Sequence, residues 1–128
     1  KMKILGIGVD IIKNKRIKSL LKNKNFIKRT FGKKEVQLSK KISNKDLYFA
    51  KRFAAKESFA KALGTGFRNN LNFKDIEILN DRIGKPYYLK SIKINNIVTQ
   101  KFNIKKYNLF LSISDEKDYS IAFTILQK

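Results

Sequence analysis

"RFAAKESFAKALGTG", residues 52–66, is the stretch on which the reading of this chain turns. It reads as a helix running into a glycine-rich stop. Asn44 or Asp46 can cap its start, Leu63 is its last apolar position, and Gly64 takes the left-handed C-terminal place. On a wheel of about 100° per residue, Phe49, Phe53, Ala60 and Leu63 form one apolar stripe. Glu57 falls about 40° from Phe53, at the margin of that stripe and away from the solvated side. A carboxylate there costs free energy unless it is paired or bound to metal. One account is a pair with Lys61 four residues on, worth about 0.2–0.5 kcal/mol on an exposed helix. That explains a glutamate in the helix but not its lean inward. The other account is an oxygen ligand for Mg²⁺, with Lys61 facing the same phosphates as a point charge.

Working outward, "ILGIGVDII" at 4–12 alternates as a strand. Gly6, Gly8 and Asp10 share one face; Leu5, Ile7, Val9 and Ile11 share the other, which is expected to meet the core. Glycines flanking a carboxylate leave bare backbone that another group can approach. Asp10 is either a cap for the following helix or a second metal ligand beside Glu57. The pair of glycines is no dinucleotide fingerprint, because the third glycine and the helix opening are missing. Short basic helices are expected at 13–22 and 26–40, a strand at 72–81, and a second strand after the turn at Gly84, Lys85 and Pro86. A further short helix is expected near 91–102. "LFLSIS" and "YSIAFTIL", joined by "DEKD", form a hairpin. The fold class is therefore α+β: one domain over 1–128, a mostly antiparallel sheet packed against one long helix plus shorter helices. The phenylalanines at helical spacing, Phe49, Phe53 and Phe59 among them, read as core.

Composition narrows the chemistry. Thirty basic residues face ten acidic ones, a net charge of +20, and histidine and cysteine are both absent. Disulfides, thiolate sites and imidazole bases are excluded, so catalysis falls to carboxylates, lysine, hydroxyls or a hard metal ion. The missing cysteine is compatible with a reducing, cytoplasmic setting. No apolar run of about 18 residues suggests a membrane span, and the first residues resemble a strand and not a secretory signal. Between Asp10 and Glu35 lie ten lysines and arginines and no acid. That surface suits a polyanion: nucleic acid, an acidic membrane or an acidic protein.

Four ordered blocks decide among these: "GIGVDII" with "RI" at 6–17, "RFAAKESFAKALGTG" at 52–66, "FKDIEILND" with "GKPY" at 73–87, and "LSIS" with "EKDYSIAF" at 111–123. Together they closely resemble the holo-[acyl-carrier-protein] synthases, the small bacterial 4′-phosphopantetheinyl transferases, over nearly the whole chain. The resemblance implies that family's α+β fold and a homotrimer with active sites between subunits. It implies transfer of the phosphopantetheine arm of coenzyme A to a serine of apo-acyl carrier protein, releasing adenosine 3′,5′-bisphosphate, within fatty acid biosynthesis in the cytoplasm. It implies Mg²⁺ on Asp10 and Glu57, with Lys61 at the pyrophosphate and these three as the catalytic set. Coenzyme A would further meet Arg52, Gly64, Thr65, Gly84, Lys85 and Pro86, and the acidic carrier protein would meet Lys13, Arg16 and Lys22. With no histidine, Glu57 acting through a metal-bound water is the nominee for the serine proton.

The chain departs from the family pattern twice. Asp115 stands where histidine is usual, so it is left out of the binding set. Lys13 stands where a glutamate commonly follows the first aspartate by three residues. Nucleic acid and membrane are not expected as partners. The rival readings are a basic nucleic-acid binder, which would need neither Asp10 nor Glu57, and a carrier-binding relative that has lost catalysis.

Overall fold

The computed structural model describes residues 2–68 and 70–128; Lys1 and Asn69 lie outside the described residues. The first strand, β1 (Ile4–Lys13), leads into three short helices, α1 (Asn14–Leu20), α2 (Lys24–Thr30) and α3 (Lys33–Ser39), and then into the long α4 (Lys45–Leu63). A single 3-10 turn at Phe73–Asp75 precedes β2 (Ile78–Asn80) and β3 (Pro86–Tyr88). The chain ends with α5 (Ile92–Phe102), β4 (Asn108–Asp115) and β5 (Tyr119–Gln127). β1, β5 and β4 form a three-stranded antiparallel sheet in that order, and β2 pairs with β3 in a separate antiparallel ribbon. The α+β expectation holds, and so does the terminal hairpin, whose register sets Asp115 opposite Ser120.

α4 begins where Asn44 accepts a hydrogen bond from the Leu47 amide, and it ends at Gly64, whose φ of 88° closes the helix. It is buried nearly all round, Ala50, Ala54 and Ala55 as fully as Phe49 and Phe59. A single apolar stripe understates this, because α4 is the central element: the sheet packs on one side of it and the small helices on another. Alanines and Ser58 keep its flanks thin enough for that. Ser58, Thr124 of β5 and the Tyr88 hydroxyl of β3 form one buried network, in which Tyr88 also donates to the Ala55 carbonyl at 2.7 Å. Buried hydroxyls are tolerated because each finds a partner.

The orientation of β1 reverses the expectation. Ile7, Val9 and Ile11 are 55, 53 and 59 % exposed, while Gly6 and Gly8 face α4. Period two defines two faces but does not say which is covered. The glycines decide it: a Cβ on Gly6 would sit 1.7 Å from the Ala62 carbonyl oxygen, and one on Gly8 1.8 Å from that of Ser58. Strand and helix therefore meet backbone to backbone. Two further differences are local. The stretch at 26–40 is two helices, broken at Phe31 and Gly32, and the strand expected over 72–81 shrinks to Ile78–Asn80.

Candidate active site

Asp10 lies in β1 on the glycine face, opposite Ala122 of β5. It is not a helix cap: α1 starts at Asn14 with Lys13 in the capping place. Because Gly6 and Gly8 bring β1 against α4, Asp10 comes to rest beside the C-terminal half of the long helix. The Lys61 ammonium reaches across and donates to the Val9 carbonyl at 2.9 Å and to Asp10 Oδ1 at 3.4 Å. The helical pair of Glu57 with Lys61 is therefore not what forms. Lys61 turns to the strand, and among the described residues Glu57 belongs to none of the ion pairs.

Electrostatics join the two acids. Burial pushes the Glu57 carboxyl above its ordinary range, and the charge of Asp10 pushes it further, against Lys61 and Arg16. Burial likewise raises Asp10, opposed first by the hydrogen bond and charge of Lys61 and then by Arg16. Both are half-buried, so neither is simply solvated. Two half-buried carboxylates that feel each other's charge, with Lys61 in contact with Asp10 alone, are a donor set whose chemistry fits a hard divalent cation with positions left for phosphate oxygens. Among the described residues no cluster of three or more acids, histidines or cysteines offers an alternative metal site.

Arg52 is elsewhere. Five residues before Glu57, it points about 140° away around the helix. Its guanidinium is buried, lies 3.7 Å from the centre of the Tyr48 ring, and donates to Asn80 Oδ1. Asn80 Nδ2 in turn donates to the Gly84 carbonyl at 2.9 Å. The turn beyond it is built on Asp81, whose carboxylate accepts from the Ile83 and Lys85 amides while Gly84 adopts φ 92°. Arg52, Gly84, Lys85 and Pro86 thus form one group and Asp10, Glu57 and Lys61 another, on different sides of α4. Asn80, which joins the first group, was not singled out from the sequence. Its place just before "DRIGKP" is a local signal for a turn-binding amide, but its pairing with Arg52 is tertiary.

Gly64 ends α4 one turn beyond Lys61, and its amide donates to the Ala60 carbonyl at 3.1 Å. Thr65 lines a cavity of about 300 Å³ with Arg68, Gln100 and Lys101. Arg16 is exposed on α1, and its charge reaches both acids. Lys13 and Lys22 are exposed at the two ends of that helix. Arg16 also borders an apolar groove of about 540 Å³ walled by Phe26, Phe53, Phe67 and Phe73. Asp115 pairs with Lys51 at 3.9 Å, which softens its repulsion toward any nearby anion.

Residues 6–124 match the sequence pattern of the 4′-phosphopantetheinyl transferase superfamily. The chain is 61% identical over 127 residues to a holo-[acyl-carrier-protein] synthase of Pelagibacter ubique, covering 99% of each. Among solved structures it resembles a holo-[acyl-carrier-protein] synthase from Neisseria meningitidis, with TM-score 0.86, 38% identity, and 98% and 100% of the two chains covered. It also resembles a holo-(acyl-carrier-protein) synthase from Bacillus anthracis in complex with CoA (3′,5′-ADP), with TM-score 0.81, 35% identity, and 100% and 99% covered.

Proposed function

Because the chain belongs to the holo-[acyl-carrier-protein] synthases of the 4′-phosphopantetheinyl transferase superfamily, we propose that Asp10, Glu57 and Lys61 are the catalytic half of its active site. The reaction moves the phosphopantetheine arm of coenzyme A to a serine of apo-acyl carrier protein and leaves adenosine 3′,5′-bisphosphate. The observation that carries the residue assignment is the Lys61 ammonium of α4 held on the Val9 carbonyl and on Asp10 of β1, where the charge of Asp10 also reaches Glu57 one turn earlier on the helix.

Asp10 and Glu57 would hold Mg²⁺, which when bound offsets the negative charge gathering on the phosphate oxygens during transfer. Lys61, its ammonium held by the Val9 carbonyl beside Asp10, would offer its charge and remaining proton to the same oxygens. Glu57 is the nominee for taking up the serine proton, since the chain has no histidine to do so. Arg16, with Lys13 and Lys22, offers the acidic carrier protein a cationic landing face whose charge reaches the carboxylates. The serine would therefore be delivered beside its proton acceptor.

The adenosine half of the site, Arg52 with Gly84, Lys85 and Pro86, would come from a neighbouring copy in a homotrimer. Two observations support this. The groups occupy different sides of α4, and the sheet presents an uncovered apolar face of Ile7, Val9, Ile11, Phe110, Ile121 and Phe123. A contiguous patch of that kind marks a protein interface. A cytoplasmic role in fatty acid biosynthesis completes the proposal; no described helix is long and apolar enough to cross a membrane.

One assay tests the reading. Protein, coenzyme A, Mg²⁺ and apo-acyl carrier protein are mixed, and mass spectrometry reads the added phosphopantetheine. Transfer supports the proposal. Carrier binding without transfer would make the chain an inactive relative, and salt-dependent binding to nucleic acid in place of carrier would make it a basic nucleic-acid binder. Calorimetric titration of Mg²⁺ into wild type, Asp10→Asn and Glu57→Gln tests the metal separately: binding should weaken sharply in both variants.

A further inference from the structure

Immediately before Glu57, Lys56 is fully buried in the centre of the molecule. An ammonium has three protons to donate, and here all are used: to Glu35 Oε1 at 2.7 Å, to the Phe73 carbonyl at 3.1 Å and to the Ile76 carbonyl. Glu35 is equally buried, and both its oxygens are bonded. Its Oε1 also accepts from the Gly32 amide and its Oε2 from the Ile78 amide, each at 3.0 Å. A buried ion pair contributes little net stability compared with well-packed apolar residues of the same volume. Its partners here suggest another role. Between Phe73 and Ile78 the chain has one 3-10 turn and few backbone hydrogen bonds, so side chains complete the pairing of several of its peptide groups. Lys56 and Glu35 supply partners to three of them.

That segment leads to the adenosine-binding turn on one side and to the groove beside Arg16 on the other. Downstream is a ribbon of three-residue strands, too small to hold its position alone, and it carries Asn80, the clamp between Arg52 and Gly84. Upstream, Phe73 stacks on Phe53 at 5.3 Å and on Phe67 at 3.8 Å, forming a wall of the groove that Arg16 borders. We propose that Lys56 and Glu35 are positioning residues that hold residues 73–80, and with them the adenosine-binding turn, in register with the long helix. This rests on the assignment of that turn to coenzyme A.

The test replaces the pair together, Lys56→Met with Glu35→Leu, so that no lone charge is left buried, and measures melting, amide exchange and steady-state kinetics in the full chain. The folded double variant should lose amide protection at Gly32 and at 76–80. Its KM for coenzyme A should rise about tenfold, with KM for the carrier protein and kcat within about twofold of wild type. A folded variant with an unchanged KM for coenzyme A overturns the proposal, as does an equal loss in all three constants. If the double variant does not fold, Glu35→Gln is read by the same criteria. An inactive wild type would instead sink the functional reading itself.

Discussion

Glu57 is poorly placed for stability, and that is the mark of a working residue. Its charged form is opposed by burial and by Asp10, so its folded pKa lies above the unfolded one. The sign follows: below the ordinary carboxylate range both states are protonated and nothing is lost, while above it the folded state increasingly carries an unfavourable charge. Glu57→Gln should therefore melt higher than wild type at pH 7 to 8 in metal-free buffer, and the gap should close as pH falls below about 4. Added Mg²⁺ should raise the wild-type melting temperature and narrow the same gap. Loss of kcat of about 10²–10³-fold with carrier binding retained is the expected cost of that substitution. A variant that melts lower and still transfers at the wild-type rate would remove Glu57 from the site.

At the scale of elements, β1 reaches α4 only because Gly6 and Gly8 lack side chains. Gly8→Ala would drive a methyl group into the Ser58 carbonyl, and neither backbone can step aside. The expected destabilisation, read by denaturant unfolding, is about 1–3 kcal/mol or more. Transfer should fall as well, since Asp10 moves away from Lys61. Gly64→Ala is the control: it has open space but φ 88°, so its loss should be about 1 kcal/mol with the metal pair undisturbed. Reversing charge to glutamate at Lys13, the last residue of β1, and at Arg16 on α1 should raise KM for the carrier protein far more than KM for coenzyme A. Those side chains are exposed and make no structural ion pair among the described residues.

For the whole molecule, the uncovered sheet face predicts the oligomer. Ile121 and Phe123 project from the central strand β5 beside Ile11 and Val9 of β1, so charge placed there meets the middle of any sheet-mediated interface. Phe123→Asp should convert a trimer, measured by sedimentation, into a folded monomer. It should abolish transfer although Asp10, Glu57 and Lys61 are untouched, because Arg52 and the Gly84 turn would no longer be supplied by a neighbour. A wild type that sediments as a monomer and is fully active would remove that assembly.

The ends of α4 were legible in the sequence because capping by Asn44 and termination at Gly64 are local chemistry, readable within a few residues. The lean of Glu57 and the terminal hairpin were legible for the same reason, since helical and strand periods are local. The inward face of β1 was not, because alternation is symmetric and only contact with α4 breaks the symmetry in favour of the glycines. Nor was the choice of Lys61 between Glu57 and Asp10, or the hold of Lys56 and Glu35 on the 73–78 segment, where partners stand tens of residues apart. Local propensity and period set what each element is; which surfaces meet depends on three-dimensional packing, and there the structure alone decided.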